Sequence, residues 1–293
     1  FKAQLVNAVI GCDAPYSIQL IDNKLTWFNT RYGVCTLVST NIIDERNVRV
    51  ISRNVEYANS YGILGVLDYG DEAKNVVTVD YDNKYFLIFP TSGKAYVWDY
   101  AISPYYYTSS KETDTKILDW FLFDNFYVGG FVTVEKDLFY YSCHSNFNKC
   151  LIKMNDTFAD LDFDGDGQPD AIVSYYMTPL FQFDAVEFLK TVKNIYVQFR
   201  GDTASLINIK YITEENVDGE VEPEPIVIGG KLWQNFDWTT FAWYIVNFGN
   251  TFRRKCSLKK IQMAGVLFEN NQLNRDMSIS HLALEYSIVK TIK

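Results

Sequence analysis

Histidine is nearly missing from this chain: His144 and His281 are the only two in 293 residues. A histidine-rich metal centre is excluded on that ground, and a Ser-His-Asp device has little material to be built from. Cysteine is sparse as well. The five residues, Cys12, Cys35, Cys143, Cys150 and Cys256, are odd in number and scattered. That usage fits a reduced, cytosolic origin better than a disulfide framework. Cys143 and Cys150 flank a turn and have the spacing to face each other across it; the plain alternative is two small free side chains. No apolar run approaches the length of a membrane span, so no membrane insertion is expected. No charged segment followed by an apolar one opens the chain, which excludes a signal-peptide pattern there. Heptads of helical type are absent too. The first residue is Phe1, not Met, and the expectation is a fragment, a processed product or the ordered part of something longer.

Aromatic residues, by contrast, are abundant, with 21 Tyr and 21 Phe. Aromatic and β-branched residues suit half-buried pleated surfaces, and short alternating runs separated by Asn, Asp and Gly recur throughout. The fold class expected is all-β. The net charge is −9. An acidic chain is a poor nonspecific binder of nucleic acid or anionic membrane.

From residue 17 to about 154, three units share one grammar: apolar strand, polar turn, aromatic strand, turn, closing strand. The first runs through residues 17–21, 23–29 and 33–38, the second through 76–80, 83–89 and 94–100, and the third through 126–134, 136–142 and 149–154. A recurrence of this size, with about four strands per unit, is expected of β-propeller blades. An ordinary sandwich of consecutive hairpins is the alternative. Propellers have at least four blades, so the ring expected here is partial, with the missing blades before residue 1, in a separate chain or in strands not counted among these units. Residues 44–53 place charges around a short apolar strand and suit a solvated blade edge or subunit contact, with an active site as the alternative. Tyr105, Tyr106 and Tyr107 suit either a carbohydrate platform or strand packing. Residues 118–123, around Trp120, are predicted as a core strand.

After Pro179 the runs lengthen: 191–199, 205–212, 256–263 and 278–289. Their alternation predicts an antiparallel β-sandwich. The organisation expected is a propeller-like domain over 1–160, a junction over 161–178 and the sandwich over 179–293. Residues 216–225, acidic and rich in proline, suit an exposed loop.

The junction carries the densest chemistry, Leu161-Asp-Phe-Asp-Gly-Asp-Gly-Gln-Pro-Asp170. Asp162, Asp164, Asp166 and Asp170, with the backbone carbonyl of Gln168, offer oxygens at the spacing of a calcium loop, and the glycines permit the tight wrap. An EF-hand would need a bidentate glutamate where Val173 stands, so it is not an EF-hand. The form resembles the calcium loops of FG-GAP repeats, which lie between strands of integrin-type propellers. The role expected is structural: four like charges repel, and Ca²⁺ removes that cost and fixes the loop between the two domains. An unoccupied acidic turn is the alternative. No open coordination position with an identifiable base or nucleophile is legible, so a catalytic metal is not expected.

From about Lys84 to Lys293 the layout resembles a group of bacteriophage tail and head-to-tail connector proteins, in which an aromatic propeller hands over to a C-terminal β-sandwich. The segments that carry the likeness are residues 84–89, 95–100, Trp120, 137–141, 170–179, 189–197 and, most closely, 270–286. The resemblance implies a structural virion protein, not an enzyme, assembling in multiple copies with itself and other virion proteins. It also implies a lumen through which DNA passes without specific binding. The location implied is the virion, assembled in the host cytoplasm. Two rival readings stay open. One is a calcium-stabilised adhesin or carbohydrate-binding propeller; the other is a propeller glycosidase, which needs a carboxylate pair that 36 acidic residues neither identify nor exclude.

Overall fold

In the computed structural model the described residues are 5, 7–38, 47–59, 62–101, 119–147, 150–154, 160–183, 187–200, 205–215, 226–228, 251–275 and 277–291. Two compact units divide the chain, Phe1–Asn155 and Asp156–Lys293. The tyrosines at 105–107 and the acidic loop at 216–225 lie outside the described residues.

Among the described residues, the first unit consists of three antiparallel meanders. Strands β1 (Gln19–Ile21), β2 (Lys24–Asn29), β3 (Gly33–Leu37) and β4 (Val48–Val50) form the first sheet in chain order. The second sheet repeats the plan with β5 (Val77–Tyr81), β6 (Lys84–Phe89), β7 (Lys94–Asp99) and β8 (Trp120–Phe123). The third has three strands among the described residues, β9 (Val128–Val134), β10 (Asp137–Ser142) and β11 (Leu151–Lys153).

Local chemistry sets the first hairpin of the first two meanders. Ile21 pairs with Lys24 and Tyr81 with Lys84, leaving two-residue turns at Asp22-Asn23 and Asp82-Asn83. All four turn residues have positive φ, between 49° and 59°. That is the type I′ geometry matching the twist of paired strands, and Asn and Asp tolerate it best after glycine.

The middle sheet has both faces covered. Along β6, Tyr85, Leu87 and Phe89 pack with Phe28 and Val34 of the first sheet, and Phe86 and Ile88 pack with Leu138 and Tyr140 of the third. Every residue from Tyr85 to Phe89 is therefore buried, and each large side chain contributes roughly 1.5–3 kcal/mol. The sheets approach most closely along their first strands, β1 against β5 and β5 against β9. Within the run 118–123, expected as a core strand, β8 is instead the last strand of the second sheet among the described residues. Trp120 is half-buried, its indole N–H donating to the Ile51 carbonyl at 3.1 Å, while Phe121, Leu122 and Phe123 are exposed. Its apolar composition hid that position, because among the described residues β8 pairs on one side only.

The second unit is a sandwich of two antiparallel sheets. One is ordered β12 (Ser174–Met177), β17 (Ala264–Asn270), β14 (Ser205–Thr213), β15 (Ile226–Ile228). The other places β13 (Phe188–Arg200) between β16 (Thr251–Ile261) and β18 (Ser278–Thr291). Alternate residues of β13, Ile195, Val197 and Phe199, meet Ile207, Ile209 and Tyr211 of β14 and Val266 and Phe268 of β17 in one core. Pro179 has no N–H to give, and the ladder along β17 breaks there, resuming as a single bridge from Phe181 to Ala264.

Candidate metal centre

The acidic loop belongs to the second unit and closes on itself. The N–H of Asp160 donates to the Asp170 carbonyl at 2.8 Å, so the chain enters and leaves at one point. Just beyond, β12 begins as the edge of its sheet. Gly165 and Gly167 have φ of +82° and +86°, and no atom stands within 4 Å of a Cβ built on either. These glycines serve the backbone conformation, not the space around it.

Inside the loop the carboxylates organise the backbone. Asp162 accepts from the N–H groups of Gly165 at 2.7 Å, Asp166 at 3.1 Å and Gly167 at 2.8 Å. Asp164 accepts from Asp166 N–H at 3.0 Å, and Asp166 accepts from Gln168 N–H at 2.8 Å. The Asp170 carboxylate takes the N–H of Phe163 at 2.9 Å.

Three of the expected ligands converge: one oxygen each from Asp162, Asp164 and Asp166 lies within 4.8 Å of the others. Two oxygens bound to one calcium at about 2.4 Å can stand no farther apart than about that distance, so the trio fits around such an ion. Asp170 lies outside this trio, and its carboxylate is engaged at the base of the loop. Gln168 contributes its N–H to the Asp166 carboxylate.

The electrostatics divide the trio. Loss of hydration raises the pKa of Asp162, but the N–H groups of Gly167 and Gly165, then Asp164 and Asp166, outweigh it and hold the carboxyl below the usual aspartate value. For Asp164, the Asp166 N–H lowers the pKa. Lost hydration, the charges of Asp166 and Asp170, and the contact with Asp162 together raise it above the usual value. A divalent cation would remove that repulsion. The converging carboxylate oxygens are the ligand type that a hard cation takes.

A second concavity was not expected from the sequence. Pro90, Thr91, Tyr127, Cys143, His144 and Ser145 line a cavity of about 320 Å³. His144 packs 4.8 Å from the Tyr127 ring. Burial raises the pKa of the Cys143 thiol, the opposite of what activates a nucleophilic cysteine. Cys143 and Cys150 are both free thiols. Ser142, not Cys143, is in step with Cys150, its N–H donating to the Cys150 carbonyl at 3.2 Å.

No protein-family model matches the chain, and no curated protein sequence matches it.

Proposed function

We propose that this chain is a structural protein of a bacteriophage tail or head-to-tail connector, non-enzymatic and assembled in several copies with other virion proteins. The observation that carries the reading is the large apolar surface left open on both units. Val132, Val134, Tyr141 and Leu151 are 46–62% exposed in the first, and Tyr175, Tyr176, Ile288 and Val289 are 51–67% exposed in the second. Apolar groups in that quantity at a surface mark places covered by protein in an assembly.

In this reading the three meanders are consecutive propeller blades. They follow one another in chain order and draw together along their first strands, as blades do around an axis. The sandwich follows, in the order of the virion proteins that the chain resembles. Asp162, Asp164 and Asp166 would hold Ca²⁺, with the Gln168 carbonyl and Asp170 completing the set. The ion supplies charge neutralisation that stiffens the loop. A net charge of −9 suits a wall past which DNA moves without sticking. Immunogold labelling of purified virions with an antibody to the chain tests the role. Label at one fixed position on the tail axis is expected; particles that never carry it overturn the proposal.

One observation favours a second reading. Tyr175 and Tyr176 are exposed in the strand that directly follows the acidic loop, an arrangement open to calcium-dependent glycan binding. A glycan array probed with and without calcium separates the two. Calcium-dependent capture by the chain would replace the assembly role with an adhesin.

A further inference from the structure

The acidic chain carries one strand of the opposite sign, and we propose that the outer sheet face around it binds the phosphate backbone of nucleic acid. Strand β16 holds five of the chain's 27 lysines and arginines in 11 residues, with no aspartate or glutamate among them. Such binding is independent of a place in the virion.

The register sorts these cations. Ile195 and Val192 lie in the sandwich core, and they pair with Arg254 and Leu258. Paired residues share a face and neighbours alternate. Arg253, Lys255 and Lys259, which pair with Tyr196, Asn194 and Thr191, therefore lie on the outer face. All three are exposed. Arg253 and Lys255 stand two residues apart on that face, about 7 Å along the strand. Lys193, exposed at the bulge in β13, adds a fourth charge. Both Lys193 and Arg253 act on the carboxylate of Glu285 in β18, the acid set against them.

Arg253 is also aimed. Its Nε–H donates to the Asn194 side-chain oxygen at 3.0 Å, and the Asn194 amide donates in turn to Glu285 at 2.5 Å. Asn194 is itself buried. The guanidinium stands 6.0 Å from the centroid of the Tyr196 ring, whose hydroxyl donates to the same Glu285 oxygen at 2.9 Å. Bonding through Nε leaves the fork of two terminal amino groups for a pair of phosphate oxygens. Cations on an edge strand also keep the strands of other molecules from pairing with it, but that task needs charge and no fixed direction. A buried amide gives Arg253 a direction.

Composition selects the occupant. Contacts between proteins are poor in lysine and centred on apolar groups. This face instead offers Lys193, Lys255 and Lys259 around the polar Thr191 and Asn194. Interfaces with nucleic acid are polar and strongly positive. The net charge of −9 repels a polyanion from the chain as a whole, which confines the contact to this face and makes it depend on salt.

Fluorescence anisotropy tests this, with a labelled single-stranded oligonucleotide and a duplex of the same length titrated by the whole chain over a range of salt. Binding of either probe supports the proposal, with a dissociation constant of about 1–100 µM expected at physiological salt. Lys255→Gln with Lys259→Gln removes two phosphate contacts. Binding is expected to weaken about tenfold, and the log–log salt slope for the single strand to flatten by about 1.4. Arg253→Lys keeps the charge and loses the fork, and a loss of about threefold or more is expected with the slope unchanged. Lys24→Gln with Lys136→Gln makes the same change of net charge in the first unit, and affinity and slope are expected to stay as in the wild type. Circular dichroism confirms that each variant is folded. A wild type that binds neither probe at low salt overturns the proposal. Equal losses in the two lysine pairs overturn it too, because net charge alone would then be responsible. So does polyglutamate that displaces the probe as well, charge for charge, as unlabelled oligonucleotide does; the face would then belong to an acidic protein.

Discussion

The ring of Tyr127 comes within 2.6 Å of the point where a Cβ on Gly93 would stand. Gly93 also has a φ of +66°, and its carbonyl accepts the N–H of Phe126 at 2.8 Å. One glycine thus lets the chain after β8 lie against the turn between β6 and β7. The first sheet has the same device at Gly33, with φ of +80° and Ser52 as its close neighbour. Gly93→Ala combines left-handed strain with a ring clash and is expected to cost about 3 kcal/mol. Gly165→Ala has strain but no neighbour and is expected to cost only about 1 kcal/mol. Urea midpoints of the two variants check this; equal losses would show that the Tyr127 ring yields freely.

Calcium is expected to raise the melting temperature and chelator to return it. At a hundredfold excess over the dissociation constant, one site stabilises by about 2.7 kcal/mol. Asp162→Asn keeps an oxygen for the Gly165, Asp166 and Gly167 N–H groups but loses charge, and the calcium-dependent shift is expected to shrink or vanish. Scanning calorimetry with calcium and with chelator provides the check, and superimposable wild-type traces would remove the ion from the account.

Glu285 links the strands of the three-stranded sheet. Its carboxylate accepts from Asn194 at 2.5 Å and Tyr196 at 2.9 Å, and these bonds hold its pKa below the ordinary value of 4.5. A folded-state value lower than the unfolded one means that the carboxylate adds stability above about pH 4.5. That contribution fades as pH falls through the lowered value. Glu285→Gln is expected to lose this part of the acid slope, melting below the wild type at neutral pH and converging with it as pH falls. Denaturant titrations from neutral to acidic pH compare the two, and identical acid slopes would contradict the assignment.

Lys190 is fully buried, its amine donating to the Gln262 carbonyl at 3.0 Å and standing 6.0 Å from the Phe183 ring centroid. Its stem fills space in the sandwich as an aliphatic chain would. Lys190→Met keeps that volume and orphans one carbonyl, an expected cost of about 1 kcal/mol. Lys190→Ala empties the space and is expected to cost about 3 kcal/mol. Thermal unfolding ranks the two, and the reverse order would mean that the length of the stem is not what the site requires.

The parts legible in the sequence were those governed by local rules. Asp22-Asn23 and Asp82-Asn83 announce their turns because left-handed backbone has few tolerant residues, and the strands they join follow from alternation. The acidic loop was legible for the same reason: its glycines sit where φ is positive. Tertiary circumstance was harder to see. Phe121, Leu122 and Phe123 look like core and lie at an edge, since hydrophobicity does not say which strands receive a neighbour. In the loop, Asp170 is as acidic as Asp162, but it lies outside the converging trio, a distinction set by how the loop closes and not by spacing.

The short bond between Asp160 and Asp170 has a practical meaning for anyone altering this protein. The segment between them is a cassette, folded by its own aspartates and tied off at the neck. A lanthanide-binding or fluorescent sequence exchanged into it would leave the strand that follows in its place.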